Sequence, residues 1–165
     1  MRVASWVSRL AVFVVECPTT PLAAVFDLGR IAEVLRICGG VLMVDPTIGS
    51  IYNVDVLAHA DILVTSLTKY AAYEADVMIG ALSVNPGSQH YGDLVLRTSS
   101  YYQPAYSRDI ARLAYEMDKA PEAVARMCAN ARLLADFLSG HAAVKKVHYA
   151  GDSEHFAEVA RGADA

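Results

Sequence analysis

The sequence predicts an α/β fold built on a mostly parallel sheet with flanking helices. Three observations lead there. Val12-Phe-Val-Val15, Val41-Leu-Met-Val44 and Ile62-Leu-Val-Thr65 are continuous apolar, largely β-branched runs, as expected of strands buried on both faces. Between the first two lies a segment whose apolar residues recur at helical spacing. Strand, helix and strand in that order form a βαβ unit, whose crossover makes the two strands parallel. At 165 residues the chain suffices for about one domain with a real core.

Taken in order, the first run spans Val12–Val15, and Pro18 and Pro21 end it because proline cannot donate to a ladder. Asp27 is placed to cap a helix with Leu28, Ile31 and Leu35 on one face, and Gly39-Gly40 terminates it. The second strand, Val41–Val44, follows at once. Asn53–Ala60 reads as a short helix, Ile62–Thr65 as the third strand and Val77–Val84 as a fourth, closed by Asn85-Pro-Gly87. Residues 88–103 carry no clear pattern. Ser107 suits the N-cap of a helix with Ile110, Leu113, Ala114 and Met117 on one stripe. Pro121 suits the first turn of a longer helix through Leu138, with Val124, Cys128, Ala131 and either Leu134 or Leu138 facing the core. Val144–Tyr149 reads as one more strand. Beyond Gly151 the composition turns polar and acidic, which predicts a frayed or weakly helical tail.

Hydrophobic residues make up 55% and charged residues 19% of the chain, an apolar balance that leaves some surface for a partner or for further chain. The net charge of -4, with no basic run, argues against a nucleic-acid surface. No apolar stretch is long enough to span a bilayer. In the first residues Arg9 interrupts the apolar run and Glu16 follows it directly, so no signal peptide is expected. Cys17, Cys38 and Cys128 are widely separated and odd in number, which predicts reduced thiols in a cytoplasmic protein. The five histidines lack metal-ligand spacing, so no metal is expected.

The candidate chemistry converges on Lys69. It follows the third strand directly, behind Ser66 and Thr68, and a bend is needed before all three can face one site. Asp45 ends the second strand and would stand at the same edge of a parallel sheet. A lysine, a carboxylate and hydroxyl donors suit pyridoxal 5'-phosphate, whose enzymes use a lysine Schiff base and an acidic partner for the ring nitrogen. An amine in that role must lose its proton, which low dielectric or nearby positive charge favours. Each residue also has a plainer reading. Lys69 could be a surface lysine, Asp45 a turn residue before Pro46, and the hydroxyls caps.

Glu16-Cys-Pro-Thr-Thr-Pro21, Val44-Asp-Pro-Thr47 and Ser66-Leu-Thr-Lys-Tyr70, in that order, resemble the core motifs of the Cys/Met-metabolism (transsulfuration) family of pyridoxal-phosphate enzymes. That family includes cystathionine synthases and lyases, methionine γ-lyase and O-acetylhomoserine sulfhydrylase. The resemblance runs from about Val12 to about Gly151, a middle part of the family's usual length. It implies part of a fold-type I large domain over residues 1–150, with 151–165 either the start of a smaller C-terminal domain or a frayed tail. It also implies Lys69 as the cofactor lysine and proton carrier, Asp45 as partner of the pyridine nitrogen, and Ser66 and Thr68 as phosphate-binding hydroxyls. Thr20 stands where the family places an asparagine on the cofactor's phenolic oxygen. The implied reaction is elimination or replacement at the β- or γ-carbon of a cysteine- or homoserine-derived amino acid, in a homo-oligomer.

The chain departs from the family pattern at Pro46, where the family usually has asparagine, and at Ala72, Tyr73 and Glu74, where it prefers a Gly-Gly-His loop. Asp76 and Asn130 keep their places. The family's phosphate-binding glycine loop, ring-stacking tyrosine, Tyr-Arg pair from the neighbouring subunit and carboxylate-gripping arginine match nothing here. The alternative reading is therefore a noncatalytic homologue serving as a binding or assembly module.

Overall fold

A computed structural model of the chain describes residues 12–161. Four strands lie side by side in chain order: β1 (Val12–Glu16), β2 (Val41–Asp45), β3 (Ile62–Ser66) and β4 (Gly80–Val84). β1 runs parallel to β2 from Val12 beside Val41 to Glu16 beside Asp45. β2 and β3 are parallel, with Met43 beside Ile62. β4 returns antiparallel to β3, Ser66 facing Gly80. One consequence governs the rest of the structure. The carboxyl ends of β1, β2 and β3 share an edge, and there Glu16, Asp45 and Ser66 end their strands.

The crossover between β1 and β2 is helix α1 (Leu28–Cys38). Asp27 Oδ1 accepts the Arg30 N–H at 2.7 Å, and Gly39 closes the helix at φ 68°, a conformation that glycine adopts without strain. Leu28 and Leu35 face the sheet and join Leu42, Val44, Val54 and Val56 in the core. Burying such side chains is worth about 1.5–3 kcal/mol each. Three more helices follow: α2 (Tyr91–Ser100), α3 (Ser107–Met117) and α4 (Ala120–Ser139). Leu113 of α3 packs with Ala72, Val77 and Ile79 in a second, smaller core beyond β3.

Several expectations are corrected. Among the described residues β1 is an edge strand: Val15 is buried, but Val12, Phe13 and Val14 are exposed because no described element covers them. Asn53–Ala60 forms turns and not a helix, because its backbone bonds elsewhere. Asp55 N donates to Val159 O at 2.7 Å, Arg161 N donates to Asn53 O at 2.7 Å, and Val54 bridges Ala160. For the same reason the segment after Gly151 does not fray. Val159 is buried in the main core. Among the described residues Val144–Tyr149 has no strand partner and joins no sheet.

On α3 the buried residues are Leu113 and Glu116, whereas Ile110, Ala114 and Met117 are exposed, and Ser107 is the first helical residue, one past the N-cap Tyr106. On α4, Pro121 sits in the first turn as expected. The buried positions are Ala120, Ala123, Val124 and Ala135, with Ala131 and Leu134 turned outward. Residues 88–103, unassigned from sequence, contain α2.

The signal-peptide reading rests mainly on residues 1–11, and the last part of the predicted tail on residues 162–165. Both lie outside the described residues. Among the described residues no helix is long and apolar enough to cross a membrane, and no group of His, Cys, Asp and Glu could hold a metal. The three cysteines are free.

Candidate cofactor site at the carboxyl edge of the sheet

Where β1, β2 and β3 end, a cavity of about 220 Å³ opens, lined by Glu16, Pro18, Thr20, Asp45, Thr47, Ile48 and Ser66. The carboxyl ends of parallel strands are the usual place for a ligand in an open α/β sheet. The parallel register sets Asp45 beside Glu16 and carries Ser66 to the same edge. Three of the sequence-predicted site residues, Thr20, Asp45 and Ser66, thus share one wall. The cavity is smaller than the roughly 300–1,000 Å³ typical of small-molecule sites.

Asp45 is held tightly. Its Oδ1 accepts both the Thr47 N–H at 2.9 Å and the Thr47 hydroxyl at 2.5 Å. Pro46, fully buried between them, has no N–H to offer, so Thr47 supplies both donors. Oδ2 of Asp45 has no hydrogen-bond partner among the described residues. The Asp-x-Thr spacing is the usual signature of such an Asx-type turn. Thr20 is fixed from β1, its N–H donating to Glu16 Oε2 at 2.8 Å.

β3 ends at Ser66, and the chain turns through residues 67–70, the bend expected before Lys69. Lys69 is exposed on this turn and is not among the residues lining the cavity, and its amine has no ion-pair partner among the described residues. Thr68 points elsewhere: its hydroxyl accepts from Ile79 N at 3.2 Å and donates to Ile79 O at 3.4 Å, tying the turn to the approach to β4. The segment after Lys69 is gripped from the other side. Tyr52 Oη donates to Ala71 O at 3.1 Å, and Ser50 Oγ donates to Tyr70 O at 3.3 Å. Burial, with the charge of Asp118, pushes the Tyr52 phenol above its usual range, so it stays a donor.

Cys17, next to this edge, is fully buried, and burial pushes its thiol up to about 11. It is no nucleophile at neutral pH. Sequence reasoning gave no role to Thr47, Glu16, Ser50 or Tyr52: Glu16 and Thr47 hold Thr20 and Asp45 by local bonds, while Ser50 and Tyr52 reach the segment after Lys69 across the fold.

The donor set fits pyridoxal phosphate at its ring end, since Asp45 leaves one carboxylate oxygen free and Thr20 lines the same cavity. At the phosphate end the cavity supplies the Ser66 hydroxyl and no cation. The match to known proteins agrees with this chemistry, for the Cys/Met metabolism PLP-dependent enzyme family matches residues 4–161. The chain belongs to that family. It is 34% identical over 166 residues to the L-2-amino-4-chloropent-4-enoate dechlorinase/desaturase of Streptantibioticus cattleyicolor, covering 99% of this chain and 33% of that protein. It is also 34% identical over 149 residues to the cystathionine gamma-synthase of Neurospora crassa, covering 90% of this chain and 24% of that protein. The fold agrees with the crystal structure of cystathionine gamma synthase from Xanthomonas oryzae pv. oryzae in complex with aminoacrylate and cysteine. The TM-score is 0.75 at 26% identity, over 92% of this chain and 40% of that one. The family is one of pyridoxal-phosphate-dependent transsulfuration enzymes with the fold-type I architecture, and this chain spans about a third of the length of the first of these relatives.

Proposed function

We propose that the chain binds pyridoxal 5'-phosphate at this edge through Lys69, Asp45, Ser66, Thr68 and Thr20. There it serves elimination or replacement at the β- or γ-carbon of a cysteine- or homoserine-derived amino acid. When bound, the cofactor withdraws electrons from the substrate's α-carbon. The residues supply the rest. Asp45 Oδ2, left open by the clamp on Oδ1, is placed to take the ring N–H and keep that proton in place by charge. The exposed amine of Lys69 is free to hold the cofactor's carbonyl carbon and then to move the α-proton. Ser66 donates to the phosphate. Thr68 can join it by giving up its long bond to Ile79 O. Thr20 donates to the phenolic oxygen. Residues 1–150 form part of the cofactor-binding domain and 151–165 the start of a smaller one. The chain works in the cytoplasm as a homo-oligomer, a reading supported by the exposed apolar side chains of β1, α2 and α4.

The observation that supports the reading most is the arrangement of Asp45, Ser66 and Lys69 at the ends of adjacent parallel strands. It is tested by incubating the protein with pyridoxal phosphate, reducing with borohydride and mapping the modified peptide. Lys69 is the expected site. Lys119 is a natural internal control, since its Nζ donates to Tyr115 Oη at 2.7 Å and lies over that ring. Labelling that favours Lys119, Lys145 or Lys146 over Lys69 would overturn the assignment.

A further inference from the structure

We infer that Thr47, backed by Thr65, is the positioning residue that aims Asp45 at the cofactor ring and ties its carboxylate to the backbone of Ser66. The inference rests on the proposed role of Asp45 and adds to it the device that orients the group.

A threonine hydroxyl has one proton and two lone pairs. Thr47 Oγ1 lies 2.5 Å from Asp45 Oδ1, 2.9 Å from Ser66 N and 3.2 Å from Thr65 Oγ1. An ionised carboxylate oxygen only accepts, so the Thr47 proton goes to Asp45. The Ser66 amide only donates, so it takes one lone pair of Thr47. The Thr65 contact must then run from Thr65 to Thr47, filling the last lone pair. Every valence of the hydroxyl is used, and the relay has one direction: Thr65 to Thr47 to Asp45.

Thr65 is 5% exposed, so water does not compete for its end of the relay. The Thr47 N–H adds a second bond to the same Asp45 oxygen at 2.9 Å. With Oδ1 doubly occupied, the carboxylate cannot rotate about its axis without breaking both bonds. Oδ2 is thereby presented in one orientation. The same hydroxyl holds the amide of Ser66, so β2 and β3 are pinned together at the point where the ring and phosphate contacts must keep a fixed separation.

The test uses the full chain with Thr47→Val, Thr47→Ser, Thr65→Val and Asp45→Asn, read in two ways. Without cofactor, amide hydrogen exchange at Ser66 is expected to rise at least about tenfold in Thr47→Val and to stay near the parent's in Thr47→Ser, which keeps the hydroxyl. With saturating pyridoxal phosphate, the visible absorption of the bound cofactor across pH reports protonation of its ring nitrogen. Thr47→Val is expected to shift this profile in the direction of Asp45→Asn, with about tenfold weaker cofactor binding. Thr65→Val, which leaves both bonds to Asp45, should shift it less and in the same direction, and Thr47→Ser should restore it. A changed spectrum in Asp45→Asn with a parental one in Thr47→Val would overturn the inference and leave the role of Asp45 standing. Parental exchange at Ser66 in Thr47→Val would also overturn it. An unchanged spectrum in Asp45→Asn would overturn the role of Asp45 and this inference with it.

Discussion

Glu116 Oε2 accepts the backbone N–H of Glu74 at 2.9 Å, joining α3 to the loop after Lys69 across 42 positions of sequence. Glu116 is fully buried. Its Oε1 lies 2.5 Å from Arg112 Nε as an ion pair, out of line for a hydrogen bond. Arg112 in turn reaches Glu74 Oε2 at 2.6 Å and Asp76 Oδ2 at 3.2 Å. Three carboxylates thus share one guanidinium, and the loop after Lys69, which carries Ala72, Tyr73 and Glu74, is held by a side-chain clamp. Ala72 and Val77, on either side of it, are buried.

Glu116→Ala is expected to destabilise the chain by about 1–3 kcal/mol, the cost of leaving a partly buried N–H without its acceptor. Glu116→Gln, which keeps an acceptor oxygen, should lose less. Urea unfolding of the three proteins measures the difference. An alanine variant as stable as the parent would show that the loop is held by its apolar contacts alone.

Asp76 gives the clamp a pH dependence. A proton shared with the neighbouring Glu116 carboxyl, then the hydrogen bond from Arg112, holds its carboxyl below the usual carboxylate range. The folded state therefore binds the Asp76 proton less readily than the unfolded chain does. The resulting stability is fully present above the unfolded value of about 3.9 and is lost as pH falls through the lower folded value. Thermal melts taken from pH 6 down to pH 2 should show a shallower acid decline in Asp76→Asn than in the parent. Parallel curves would mean that Asp76 contributes nothing to acid sensitivity.

Gly49 is packed where no side chain fits. A Cβ there would stand 2.9 Å from Val54 Cγ2 and 3.1 Å from Pro18 Cδ. Val54 lies in the core and Pro18 lines the candidate site, so neither can retreat freely. Gly49→Ala should cost about 1–3 kcal/mol by overpacking, seen as a fall in Tm of about 2–4 °C per kcal/mol for a chain of this size. It should also weaken binding of pyridoxal phosphate, because Pro18 must move. A variant with unchanged Tm and unchanged cofactor affinity would show that the loop can yield.

Much of this protein is legible in its sequence because the controlling interactions are local. Asp27 and Gly39 mark the two ends of α1 by bonds within a few residues of themselves. The apolar runs of β1, β2 and β3 stop at Glu16, Asp45 and Ser66, so the candidate residues at the strand ends can be named before any strand is paired. The motifs around Lys69 point to the cofactor for the same reason. Long-range bonds account for what could not be read. Asn53–Ala60 has helical spacing, but Val159 and Arg161 claim its backbone, and that pairing is invisible at the level of either segment. Val12–Val14 reads as buried, yet burial of a strand depends on what covers it, and β1 has β2 on one side only, with no other described element over Val12, Phe13 and Val14. Glu116 is absent from the apolar stripe expected on α3, and its burial follows from where Arg112 and the loop at Glu74 meet it. Thr47 lies inside a recognised motif. Its hydroxyl acquires a function only when parallel pairing of β2 and β3 brings Ser66 and Thr65 within hydrogen-bonding distance, because a donor's role is set by the acceptors that folding places around it.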